Sequence, residues 1–129
     1  MAGSVDDYFD QAELSSASVV AAAPGTPITP VVLTVAVAAT EPYESVLVTL
    51  SDVATIVDPY DCTADVAGCG DDLLWQVNGA IVVYDQFYDD ANWAAETAAA
   101  GAGTDITGPM FFRFGSRRIC PRTAGDITP

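Results

Sequence analysis

The chain contains no histidine and no lysine, and its whole basic complement is four arginines against 18 aspartates and glutamates. Without histidine it lacks the commonest general base and metal ligand, so serine–histidine and cysteine–histidine hydrolysis are excluded. Without lysine there is no amine for a Schiff base and no ammonium clamp for a phosphate. Three cysteines and no histidine fall short of the four Cys or His ligands of a structural zinc site. The most apolar run, Val31 to Ala39, is far shorter than the ~20 residues of a membrane helix, and no basic segment leads into an apolar export-signal core. The chain is therefore expected neither to insert in a membrane nor to carry its own export signal.

What is present is acid and apolar in bulk. The net charge is −14 and half of the 129 residues are hydrophobic, a size and composition that suit one folded domain rather than a disordered segment. A surface this negative repels phosphate backbones and favours cations, so nucleic acid is not an expected partner of the isolated chain. Adaptation to high salt and cation binding both fit the acidity, and composition does not separate them.

Along the chain the N-terminal third is rich in Ala, Val and Pro, and it divides into a strand segment over residues 1–23 and a linker and lead-in segment over 24–43. From Glu44 the text reads as strands. Residues 45–57 mix β-branched residues with period-two alternation over the length of one long, bent strand. Residues 59–72, rich in Asp and Gly, form a loop. Residues 73–77 and 80–85 make a hairpin, because Asn78-Gly79 supplies the two positive-φ residues of a two-residue type I′ turn. A short helix over 91–100 is capped by Asp89 or Asp90 and stops at Gly101-Ala-Gly103. Residues 105–114 and 117–122 supply two last strands joined at Gly115-Ser116. With no alternating βαβ pattern, this order predicts an all-β barrel with one helix over residues 44–129.

All four arginines, Arg113, Arg117, Arg118 and Arg122, fall within ten residues, inside Gly108-Pro-Met-Phe-Phe-Arg-Phe-Gly-Ser-Arg-Arg-Ile-Cys-Pro-Arg-Thr-Ala-Gly-Asp-Ile127. This segment, with Glu41-Pro-Tyr-Glu44 before Val46-Leu-Val48 and with Val83-Tyr-Asp-x-Phe-Tyr88, resembles the OB-fold-like domain of secreted bacterial sugar-non-specific nucleases and large multidomain surface proteins. The resemblance implies an OB-fold-like five-stranded barrel with one short helix and an extra N-terminal strand segment. It also implies an extracellular or cell-surface location. In the nucleases the catalytic residues lie in a separate domain, to which the resemblance does not extend. It suggests a structural pair of Arg122 with Asp126 or a neighbouring acid.

The N-terminus hides a repeat. Gly3-Ser-Val-Asp-Asp-Tyr-Phe-Asp10 aligns with Gly108-Pro-Met-Phe-Phe-Arg-Phe-Gly115, matching Val5 to Met110 and Phe9 to Phe114, and the same offset places Leu14 on Ile119. The first strands are thus expected to be the last hairpin of a preceding unit, with Val5, Tyr8, Phe9 and Leu14 as assembly residues.

Four further groups are weighed for chemistry. Cys62 and Cys69, in a polar loop, are expected to form a small disulfide, with two thiols of a cytosolic loop as the alternative. Cys120 is expected as a small buried hydrophobe. Asp58, Asp61, Asp65, Asp71 and Asp72 crowd one loop and suit Ca²⁺, a hard cation, although their spacing is not that of an EF-hand; a solvated acidic loop is the other reading. Arg113, Arg117 and Arg118 with Trp75 and Tyr84 are either a ligand-binding face or, with so many carboxylates nearby, internal counter-charges and core filling. Asp-Asp pairs at 6–7, 71–72 and 89–90 point to opposite faces in a strand and carry no sign of catalysis.

These features lead to the expectation of a non-enzymatic, extracellular OB-like module serving binding, spacing or assembly, with other domains or copies of itself as partners and no cofactor other than Ca²⁺. The alternatives are a filament subunit assembling by strand addition and an accessory substrate-binding domain of a secreted nuclease or phosphoesterase.

Overall fold

The computed structural model describes residues 2–8, 11–18, 25–57, 74–84, 87, 100–113 and 115–129. Two sheets account for the strands among them. β1 (Ala2–Tyr8) and β2 (Gln11–Ser18) pair antiparallel with each other as a two-stranded sheet. The remaining strands are β3 (Val31–Leu33), β4 (Leu47–Leu50), β5 (Ile56–Val57), β6 (Trp75–Val77), β7 (Ile81–Val83), β8 (Asp105–Arg113), β9 (Ser116–Ile119) and β10 (Ile127–Thr128). They are hydrogen-bonded in the order β3-β4-β8-β9-β7-β6-β5, with β10 also on β8. The β3–β4 and β7–β9 pairs are parallel and the others antiparallel. The fold is all-β, as the sequence predicts, but the hydrogen-bonded order has two ends, β3 and β5, and is an open sheet. The helix expected over residues 91–100 falls on residues 91–99, outside the described ones, and on Ala100, which is not helical.

The strand expected as continuous over 45–57 is divided into β4 and β5 by the bend at residues 51–55. One side chain holds that bend. Asn78 Oδ1 accepts from the amides of Ala54 at 2.8 Å and Thr55 at 3.0 Å, and Asn78 Nδ2 donates to the Asp52 carbonyl at 3.0 Å. The Asn78 amide adds a bond to the Thr55 carbonyl. Backbone groups that would otherwise continue a ladder are satisfied by the tip of the neighbouring hairpin, and Val53 at the bend is buried.

That tip has the expected turn chemistry, with φ of 49° at Asn78 and 64° at Gly79 and the Ala80 amide bonded back to the Val77 carbonyl. The ladder, however, pairs Val77 with Ile81, so three residues rather than two separate the strands. Ala80 is the extra residue of that loop.

The segment 24–43, expected as a linker and lead-in, joins the sheet from residue 31 onward. β3 pairs with β4, Val31 opposite Val48. A single helical turn, α1 (Val35–Ala38), follows, with the Thr34 side chain capping the Val37 amide and Asp52 Oδ1 accepting from the Val35 amide at 2.6 Å. Val35 and Ala38 face inward, and with Val48, Leu50, Val53, Trp75, Val77, Ile81, Val83, Ile106, Met110, Ile119 and Ile127 they form the core. The alternation along β4 and β8 that sends Val48, Leu50, Ile106 and Met110 inward follows from the period of two of a strand.

β8 carries β4 on one edge and β9 followed by β10 on the other. From Arg113↔Ser116 to Met110↔Ile119 the register is regular, and continuing it would set residue 123 opposite Ile106. Ile127 stands there instead, so the chain after Ile119 makes a four-residue excursion before returning to β8. Pro121, with no amide hydrogen, starts it. The excursion brings the Cys120 backbone hard against Gly108, where an added Cβ would meet the Cys120 carbonyl oxygen at 2.5 Å.

Candidate functional site: the arginine–aromatic hairpin

The β8–β9 hairpin places its arginines by strand alternation. Phe112 pairs with Arg117 and Phe111 with Arg118, so the two arginines stand on opposite faces of the sheet. Arg117 reaches Glu44 at 3.0 Å and lies over the Phe112 ring at 4.5 Å from its centroid, a cross-strand cation–π contact joined to an ion pair. Glu44 comes from the Glu41-Pro-Tyr-Glu44 stretch that leads into β4.

Arg118 is on the other face, beside Val82 of β7, and is 2 % exposed. Its Nε donates to the Arg113 carbonyl at 3.3 Å and to Ser116 Oγ at 3.2 Å, and its guanidinium sits 5.0 Å from the Tyr84 ring centroid. Buried and bonded within its own hairpin, this cation is a packing element of the back of the sheet. Phe111 on the same face meets Phe87 with ring centroids 6.0 Å apart, and Phe87, half exposed, is the one ring of this group that solvent reaches broadly.

Arg122 belongs to the excursion. Its amide and Nε both donate to Asp126 Oδ2, at 2.9 and 3.0 Å, and its Nη2 donates to Oδ1 at 2.8 Å. Burial works against the Asp126 charge, but the bonds from Arg122 and the Thr123 amide outweigh it and hold the carboxyl below its usual pKa. The bond to Asp126 raises the Arg122 pKa in turn. The pair staples the excursion at its two ends.

Of the expected binding-face residues, the structure brings Arg118 to Tyr84 and to the Arg113 carbonyl, leaves Arg117 on the opposite face of the sheet and buries the Trp75 ring in the core, where it offers no surface to a base or sugar. Cys120 is buried as expected. Cys62, Cys69, the acidic loop Asp58, Asp61, Asp65, Asp71 and Asp72, and Phe9 lie outside the described residues. Among the described residues no three His, Cys, Asp or Glu side chains gather as metal ligands, and no helix is long and apolar enough to cross a membrane. Two partners had no local signal in sequence: Glu44, 73 residues from Arg117, and the Asn78 side chain.

No family model matches the chain, and neither the curated proteins nor the solved structures compared with it give a match.

Proposed function

We propose that this chain is a non-catalytic OB-like module of a secreted or surface protein, serving binding, spacing or assembly, and that residues 45–57 act as one bent strand closing a five-stranded barrel. The observation that carries this reading is the pairing order. Taking β4 and β5 as the two halves of a first strand, β6, β7, β8 and β9 become the second to fifth. The first then pairs with the second through β5 and with the fourth through β4, and the third lies parallel to the fifth. Chain continuity through residues 51–55 links β5, at one end of the path, to β4, next to its other end, and this order supports a partly open Greek-key barrel of OB type. Bonds within the chain engage Arg117, Arg118 and Arg122, which supports structural over ligand-binding use of the cluster.

The test is a titration of the whole chain into labelled single-stranded DNA with fluorescence anisotropy, and in parallel an assay for phosphodiester hydrolysis. Neither binding nor turnover is expected at ~150 mM salt. Micromolar affinity that weakens as salt rises would replace this reading with the accessory nucleic-acid module. Alkylation of denatured, unreduced protein tests the secreted environment: one labelled thiol is expected, and three would place the chain in a reducing compartment. A second reading, a filament subunit that assembles by strand addition, is favoured by the separate two-stranded sheet at the N-terminus.

A further inference from the structure

The repeat between the two ends of the chain extends to backbone register. Val5 to Met110 is an offset of 105 residues, and the same offset carries Leu14 onto Ile119. In the structure Val5 stands opposite Leu14, and Met110 stands opposite Ile119. Asp6↔Glu13, Asp7↔Ala12 and Tyr8↔Gln11 map in the same way onto Phe111↔Arg118, Phe112↔Arg117 and Arg113↔Ser116. Two residues separate the strands in each hairpin. Ser4↔Ser15 corresponds to Pro109 and Cys120, which are joined by a bond from the Cys120 amide to the Pro109 carbonyl.

Both ladders then break at equivalent glycines. The β1–β2 register shifts between Ala2 and Ser4, at Gly3, and the second strand of the other hairpin leaves β8 at Gly108. The two breaks differ in size, one residue in the first and four in the second. Register is the most sensitive property of a strand pair, since a slip of one residue exchanges its two faces. Turn length and glycine position together set it, and both are repeated here.

We infer that β1–β2 is a second closing hairpin, and that the partner it fits is another barrel of this kind with that position open. This rests on the module reading and names its partner. In such a partner β1 would lie against the strand equivalent to β4, with Ser4 opposite the position of Leu47, where Pro109 stands in this barrel. β2 would lie parallel to the equivalent of β7, with Leu14 opposite the position of Val83, where Ile119 stands. The hairpin sequences also explain why β1–β2 does not displace the resident one: it has Glu13 in place of Arg118 and Ala12 in place of Arg117, and so cannot reproduce the bond to Glu44. The second hairpin is suited to an empty seat rather than to exchange, and repetition of this joint gives a head-to-tail array.

The experiment places residues 25–106 directly before residues 2–129 of the whole chain, so that Ala2 follows Ile106 as Thr107 does naturally. The first barrel then has no closing hairpin except β1–β2. Limited proteolysis with mass spectrometry is expected to show two protected barrels, and Val5→Asp, at the position matching buried Met110, is expected to expose the first barrel alone. A companion chain, residues 25–129 placed before 2–129, shows the protection of a first barrel that keeps its own hairpin. Cleavage throughout the first barrel, with residues 25–129 of the second intact, would overturn the inference and leave the module reading standing. Loss of protection in the second barrel as well would count against the module reading itself.

Discussion

Among the described glycines, Gly108→Ala is expected to be the most damaging change to alanine. The new Cβ would stand 2.5 Å from the Cys120 carbonyl oxygen, 2.7 Å from its carbon and 3.1 Å from Ile119 Cγ1, whereas ordinary carbon contacts begin near ~3.5 Å. The obstacle is backbone, so no rotamer change relieves it. β8 cannot retreat, because Gly108 is in register with Val48 on its other edge, and Cys120 cannot retreat without stretching its 3.1 Å bond to the Pro109 carbonyl. Overpacking of this sort costs about 1–3 kcal/mol, and a weakened buried hydrogen bond adds about 1 kcal/mol. The gain from restricting the unfolded chain, at most ~1 kcal/mol, offsets part of this. A net loss of about 2–3 kcal/mol corresponds to a fall in Tm of roughly 10–20 °C for a domain near this size. Thermal unfolding of three glycine variants isolates the cause. Gly79→Ala meets no atom within 4 Å but keeps a φ of 64°, so it carries only the strain of a left-handed alanine, about 1 kcal/mol. Gly25→Ala meets nothing and has no positive φ, so its Tm should not fall. A Tm for Gly108→Ala at or above that of Gly79→Ala would refute the close approach of Cys120.

Substitutions at two further positions probe the joints of the sheet. Asn78→Ala removes all three side-chain bonds to residues 52–55 and leaves a left-handed alanine, a loss of about 2 kcal/mol; Asn78→Gly, which relieves φ but not the missing bonds, should fall between it and the parent in chemical denaturation, and equality of Asn78→Gly with the parent would show that the clamp contributes nothing. Asp126 tests the staple through pH: its folded pKa is depressed, so its contribution is full above the ordinary aspartate value near ~3.9 and vanishes as pH falls through the depressed one. Asp126→Asn should therefore lower the unfolding midpoint at pH 7, and its difference from the parent should narrow as pH falls below the ordinary aspartate value, whereas a constant difference over that descent would mean the carboxylate charge plays no part.

What could be read from the sequence is what local chemistry decides. The Asn78-Gly79 turn was legible because positive φ selects those residues, and the β8–β9 hairpin because Gly115, with φ of 70°, lies between two strand-like runs. The division of 45–57 into β4 and β5 was not legible, since the side chain that bends it lies 23 to 26 residues further on. β3 was hidden for another reason. Three residues after Pro30 make too short a run to announce a strand, and its pairing with β4 is parallel and non-local. The arginine cluster was obvious as composition, but the faces it occupies depend on pairing: one register step separates Arg117, bonded to Glu44, from Arg118, buried behind the sheet. The same logic explains why a weak sequence repeat could foretell a shared register. A hairpin's register follows from its turn length and from where a glycine ends the ladder, and both survive replacement of nearly every side chain between them, even of Arg118 by Glu13. Where such a hairpin docks is decided by edges far away in sequence, and for β1–β2 the proposed edges are the positions of β4 and β7 in another barrel.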